Sequence, residues 1–122
     1  MGRRVLLIED EANIAEAIRF VLTRDGCEVV VHARGEDALA AVRAAAADVV
    51  ILDLMLPGQS GLDILTALRA DPGTRALPVL MLTAKGQARD RVQAEAAGVS
   101  RFMTKPFDNA EMVAAVRALA PP

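Results

Sequence analysis

An α/β fold is predicted, a five-stranded parallel sheet doubly wound as (βα)5, and three observations predict it. Short runs of Val, Ile and Leu recur at residues 5–8, 29–31, 49–52 and 79–82, with a weaker fifth at 101–104. They are apolar on consecutive rather than alternate residues, the pattern of strands buried on both faces. The gaps between them carry helical spacing and are long enough for the crossover helix that parallel neighbours require.

The helices follow in order. Ile14, Ile18 and Val21 form a first apolar stripe, Leu39, Val42 and Ala46 a second, and Leu62, Leu65 and Leu68 a third. Met112, Val116 and Leu119 form the last, and the alanine run at 44–47 reads as the end of the second helix. A fourth helix spans 87–97 with Val92 as its one large apolar side chain, which implies a weakly anchored element. Gly26 and Gly98 read as helix stops, Asp71-Pro72-Gly73 ends the third helix, and Pro57-Gly58 is a turn. Asp108 with Glu111 three residues on is a capping pattern for the last helix.

Composition narrows the function. The 122 residues fit a single domain, 1–122, and with the chain closing at Pro121-Pro122 no output domain is expected. Fourteen Lys plus Arg against 16 Asp plus Glu give a net charge of −2, so no basic excess favours direct nucleic-acid binding. No Tyr or Trp and only three Phe leave no stacking platform for single strands. The run at 49–56 is broken by Asp53 and is too short to insert in a membrane, and because the N-terminus enters a strand directly no signal peptide is expected. A lone Cys27 fits a reducing compartment, so a soluble cytoplasmic protein is expected. Cys27 reads as a packed small hydrophobe, and His32 as a strand-end residue without a chemical role.

In a doubly wound sheet, ligands sit beyond the carboxyl ends of the strands, where strand order reverses. The first strand ends in Glu9-Asp10-Glu11, which alone is an ordinary solvated turn. Asp53 is different: an aspartate at the end of a buried apolar strand must be paired, protonated or liganded. Three carboxylates meeting there at roughly 5 Å would repel by about 3 kcal/mol per pair at an effective dielectric near 20. A hard divalent cation, Mg2+, suits such oxygens, whereas an isolated His32 and Cys27 offer nothing to zinc or copper. The fourth strand brings the hydroxyl of Thr83 and the small Ala84 to the same edge, and the fifth brings the ammonium of Lys105.

Leu7-Ile8-Glu9-Asp10, Asp48 through Gly58, Ser60-Gly61, Pro78 through Ala84, and Phe102-Met103-Thr104-Lys105-Pro106-Phe107 stand in sequence. In order, spacing and strand context they resemble the receiver domain of two-component response regulators, the CheY-like family with its flavodoxin-like fold. The resemblance implies that Asp53 accepts a phosphoryl group from a histidine kinase or histidine phosphotransfer protein. It implies a Mg2+ site of Asp10, Asp53, the Met55 backbone carbonyl and, through water, Glu9. Thr83 and Lys105 then engage the phosphoryl oxygens, Pro106 follows as a cis proline, and Thr83 and Phe102 form the switch. A downstream protein would bind the face made by the fourth helix, fifth strand and last helix, with Arg89, Arg91, Arg101, Met103, Glu111 and Arg117 as candidate contacts. The chain would be a monomer or a weak phosphorylation-dependent dimer. Phe102 replaces the more usual Tyr and Arg101 stands where an acidic residue is common. Met55 and Lys85 flank the path of water to the acyl phosphate.

A single-domain phosphoacceptor is the reading these residues favour, with a phosphorelay shuttle or a receiver excised from a larger regulator as variants. A small-phosphate phosphatase would want an acid two residues after Asp53, where Met55 stands. A flavin module would want Ser, Thr and Gly after the first strand, where Glu9-Asp10-Glu11 would repel a phosphate. An inert scaffold would not need every chemical position filled.

Overall fold

A computed structural model describes residues 2–84 and 88–121. Its elements alternate along the chain: β1 (Arg4–Ile8), α1 (Ala12–Arg24), β2 (Glu28–His32), α2 (Ala38–Ala45), β3 (Val49–Asp53), α3 (Gly61–Ala70), β4 (Val79–Thr83), α4 (Ala88–Ala96), β5 (Arg101–Thr104) and α5 (Asn109–Leu119). All neighbouring strands pair in parallel, in the order β2-β1-β3-β4-β5. The order reverses between β1 and β3, so the crevice of the fold lies beyond their carboxyl ends.

Strand alternation divides the core into two layers. Val5, Leu7, Val49, Ile51, Leu80, Leu82 and Met103 face one side, where Ala15, Ile18 and Leu22 of α1 and Met112, Ala115 and Val116 of α5 cover them. Leu6, Ile8, Val50, Leu52, Val79, Met81 and Phe102 face the other, against α2, α3 and Ala94 of α4. The three inner strands are buried on both faces along their apolar length, as their consecutive Val, Ile and Leu require. Cys27 is a free thiol packed in the first layer.

Three local expectations are corrected. β2 lies at the sheet edge, and Val30 and Val31 are 47% and 38% exposed, so its apolar run is not buried on both faces. Position in the sheet, which composition does not encode, sets that exposure. The second helix stops at Ala45, and Ala46 leaves the expected stripe for the left-handed region at φ 49°. The chain must turn there to enter β3, where the Asp48 N–H donates to the Arg4 carbonyl (2.8 Å) and the Arg4 N–H to Asp48 Oδ2 (2.7 Å). The buried stripe of α1 is Ala15, Ile18 and Leu22, rotated by one residue from Ile14, Ile18 and Val21.

The helix ends follow local chemistry. Ser60 and Asp108 cap α3 and α5 by accepting the N–H groups of Asp63 and Glu111. Gly98, at φ 95°, ends the α4 turn, and its carbonyl accepts from Arg69 Nε at 2.8 Å. Arg69 also donates to the carbonyls of Arg75 and Leu77, tying the end of α3 to the approaches of β4 and β5. Within the described helices, none is long and apolar enough to cross a membrane. Lys85 and Gln87 lie outside the described residues.

Candidate functional site

The first strand delivers Glu9 and Asp10 to the crevice and the third delivers Asp53, its own last residue. One carboxylate oxygen from each lies within 4.8 Å of the others, the one such acid cluster among the described residues. Glu9 and Asp53 are 1% and 3% exposed, whereas Asp10 faces solvent. Burial with like charges at this range costs free energy unless cations or donors answer it.

Lys105 supplies part of the answer. It follows β5, and its backbone N–H donates to the Thr83 carbonyl at 2.7 Å, which fixes the loop against β4. Its ammonium then reaches Glu9 Oε1 at 2.9 Å and Asp53 Oδ2 at 3.2 Å. The Lys105–Pro106 peptide is cis. Asp53 Oδ1 accepts the Met55 N–H at 3.2 Å, and Glu9 Oε2 accepts the Glu11 N–H at 3.1 Å. Among the described residues, no buried side-chain nitrogen or oxygen lacks a partner.

One ammonium does not balance three acids. Burial first, and then the shared hydrogen bond with Asp53, push Glu9 up to about 7, against the opposing pull of Lys105 and the Glu11 N–H. Burial alone would lower the Lys105 ammonium, yet its hydrogen bonds and charge contacts with Glu9 and Asp53 outweigh this and raise it. Three carboxylates answered by one ammonium, with Asp10 facing solvent, have the oxygen donors and residual negative charge that a hard divalent cation takes.

Thr83 ends β4, is 2% exposed, and pairs in register with Thr104, the residue before Lys105. Ala84 beside it is exposed, leaving the crevice open above the strand end. The Met55 side chain is 72% exposed at the rim. Gly61 supports the floor, because a Cβ there would collide with the Asp53 carbonyl and lie 2.9 Å from the Leu54 Cα. Its own N–H donates to the Leu54 carbonyl at 2.9 Å. The Ser60-Gly61 pair gave a sequence signal for this position, but only the fold shows that it seats Asp53.

At the β5 edge, Phe102 turns into the core at 8% exposed, with the Arg91 guanidinium 5.0 Å from its ring centroid. A groove of about 450 Å3 runs beside it, between α4 and α5, with Arg91, Glu95, Arg101 and Leu119 among its walls. Arg89, Arg91, Arg101 and Glu111 are exposed. Met103 is not on this face: alternation along β5 buries it under α1 and α5. Arg117 is exposed but engaged by Asp25 at the end of α1, with its Nε at 3.0 Å. Val92 is 63% exposed and α4 buries only Ala94. His32 closes β2, its Nε2 2.8 Å from the Glu36 carbonyl.

Comparison with known proteins places this arrangement. A family model described as "Response regulator receiver domain" matches residues 5–117. The DNA-binding response regulator MtrA of Mycobacterium tuberculosis is 43% identical over 118 residues, which is 97% of this chain and 50% of the relative. The chain thus spans about half the length of the curated relatives it matches. Chemotaxis response regulator CheY4 of Vibrio cholerae superposes with a TM-score of 0.90 at 27% identity, covering 98% of this chain and 99% of that one. The receiver domain of sensor histidine kinase PA1611 from Pseudomonas aeruginosa, solved with a magnesium ion coordinated in its active-site cleft, gives 0.90 at 27% identity over the whole of both chains.

Proposed function

The chain belongs to the family of response regulator receiver domains, and from that premise we propose that Asp53 accepts a phosphoryl group from a histidine kinase or histidine phosphotransfer protein. The observation that carries the reading is the convergence of Glu9, Asp10 and Asp53 within 4.8 Å, with the Lys105 ammonium bridging two of them. Asp53 attacks as a carboxylate: a new O–P bond forms, the donor's P–N bond breaks, and its electron pair returns to the imidazole, which takes up a proton. Such transfer needs alignment and neutralisation of the phosphoryl oxygens more than covalent help.

Asp10, Asp53, the Met55 carbonyl and, through water, Glu9 would hold Mg2+, which when bound supplies positive charge to the transferring oxygens. The residues of the chain do the rest. Lys105 is within reach of Asp53 and can shift its ammonium to a phosphoryl oxygen. Thr83, at the adjacent strand end, brings a hydroxyl able to donate to a phosphoryl oxygen. A groove of about 490 Å3 beside Lys105, bordered by Ile14 of α1 and Pro106 and Phe107, gives a protein donor a surface next to the acceptor.

Added charge on Asp53 draws Thr83 and Lys105 toward it, and a contact that differs between two states shifts their populations. Because α4 buries so little, the α4-β5-α5 face is the element able to respond, and a downstream protein would read it there. The chain acts as a self-modifying phosphoacceptor rather than a turnover enzyme, in the cytoplasm, either alone, as a relay shuttle, or as the receiver part of a longer regulator. Absence of direct nucleic-acid contact is proposed for these 122 residues only. The test is incubation with acetyl phosphate and Mg2+, read by intact mass: wild type gains one phosphoryl unit and Asp53→Asn gains none. Equal labelling of both would refute the assignment.

A further inference from the structure

We propose that the open edge of β2 is a self-association surface, on which a second copy of this chain adds its own β2 antiparallel, about a two-fold axis through Val30. The backbone settles which groups are offered. The Glu28 N–H donates to the Arg3 carbonyl at 2.8 Å, and the His32 carbonyl accepts the Glu9 N–H at 3.1 Å. Backbone groups alternate sides along a strand, so Glu28, Val30 and His32 bond β1, while the N–H and C=O groups of Val29 and Val31 point away from the sheet. Two copies related about Val30 set Val29 opposite Val31 in both directions, closing four hydrogen bonds.

The side chains select the same register. Centring on Val30 pairs all five residues of Glu28-Val29-Val30-Val31-His32, and it places Glu28 of one copy opposite His32 of the other at each end. No like charges face each other, and an acid meets an imidazole twice. Val30 meets Val30 at the non-hydrogen-bonded position, where side chains lie closest. A two-fold axis normal to the sheet keeps both α2 helices on one side. There a groove of about 330 Å3, walled by Val30, His32, Ala41, Ala44 and Ala45, leaves space for the facing copy. Edge strands are commonly blunted by Pro, Lys or a bulge, and none of these interrupts β2. The opposite sheet edge, with Phe102 and the Arg91 groove, stays open, and the association does not depend on chemistry at Asp53.

Sedimentation and amide exchange on the full chain test this. The weight-average mass is expected to rise toward the dimer between roughly 10 µM and 1 mM, as a small interface allows. Over the same range, the amides of Val29 and Val31 gain protection while that of Val30 does not change. Val30→Glu returns a monomer that keeps its circular dichroism and its Asp53 labelling. His32→Glu alone, which opposes two acids, weakens the dimer at least tenfold, and the Glu28→His, His32→Glu double exchange restores it. A monomer at every concentration, a dimer indifferent to Val30→Glu and to His32→Glu, or unchanged exchange at Val29 and Val31 would overturn the proposal.

Discussion

Lys105 carries the most information of any single residue in the crevice. Its ammonium sits between Glu9 and Asp53, so it stabilises the resting acids and, in the proposed reaction, is positioned to follow charge added to Asp53. Removing it separates the two roles. Lys105→Ala should still take phosphate from acetyl phosphate, more slowly, while affinity for a downstream partner no longer changes on phosphorylation; paired binding measurements on both forms check this. An unaltered gain in partner affinity would remove Lys105 from the switch. Several of these residues were legible in sequence because their types are wrong for their surroundings: an Asp at the end of a buried strand, a cluster of acids at another strand end. Gly61 was less so, since its role is to leave room beneath Asp53, and room has no side-chain signature.

Among the elements, α2 and β2 show where local pattern stops being sufficient. Alanine favours a helix, and the run at 44–47 read as one, yet Ala46 takes φ 49° so that Asp48 can pair with Arg4. A left-handed alanine is disfavoured by about 1–2 kcal/mol, partly offset in glycine by the entropy of the unfolded chain. Ala46→Gly should therefore raise stability by about 0.5–1 kcal/mol in urea unfolding, and a loss of stability would show that the alanine methyl is needed. β2 has the composition of a central strand, and only its place in the order β2-β1-β3-β4-β5 exposes Val30 and Val31. Met103 is the converse case: it stands between exposed Arg101 and Thr104 in an edge strand, but alternation turns it into the layer beneath α1 and α5.

At the scale of the whole molecule, two apolar layers hold a sheet whose switch point gathers acids that oppose one another. If the acids hold Mg2+ as proposed, stability and metal binding are linked. A cation that binds only the folded chain stabilises it by about 1.4 kcal/mol at ten times its dissociation constant, roughly 5 °C for a domain of this size. Thermal unfolding with and without Mg2+ should show that rise in the wild type, and Asp10→Ala should abolish most of it. An equal rise in the variant would place the cation elsewhere. The sheet, its helices and the edge that carries the chemistry follow from apolar periodicity, because burial of consecutive Val, Ile and Leu leaves few alternatives. What periodicity does not convey is the division of faces at the margins, where Phe102 turns inward under Arg91 and α4 remains thinly anchored.

The central claim is that the carboxylate of residue 53 is the nucleophile. Its most direct test is chemical trapping: the chain is treated with acetyl phosphate and Mg2+, reduced with borohydride, digested and sequenced by mass. The account predicts homoserine at position 53, from reduction of an acyl phosphate, with Glu9 and Asp10 intact. Reduction at Glu9 or Asp10, or at no position in a chain that has gained phosphate, would contradict it.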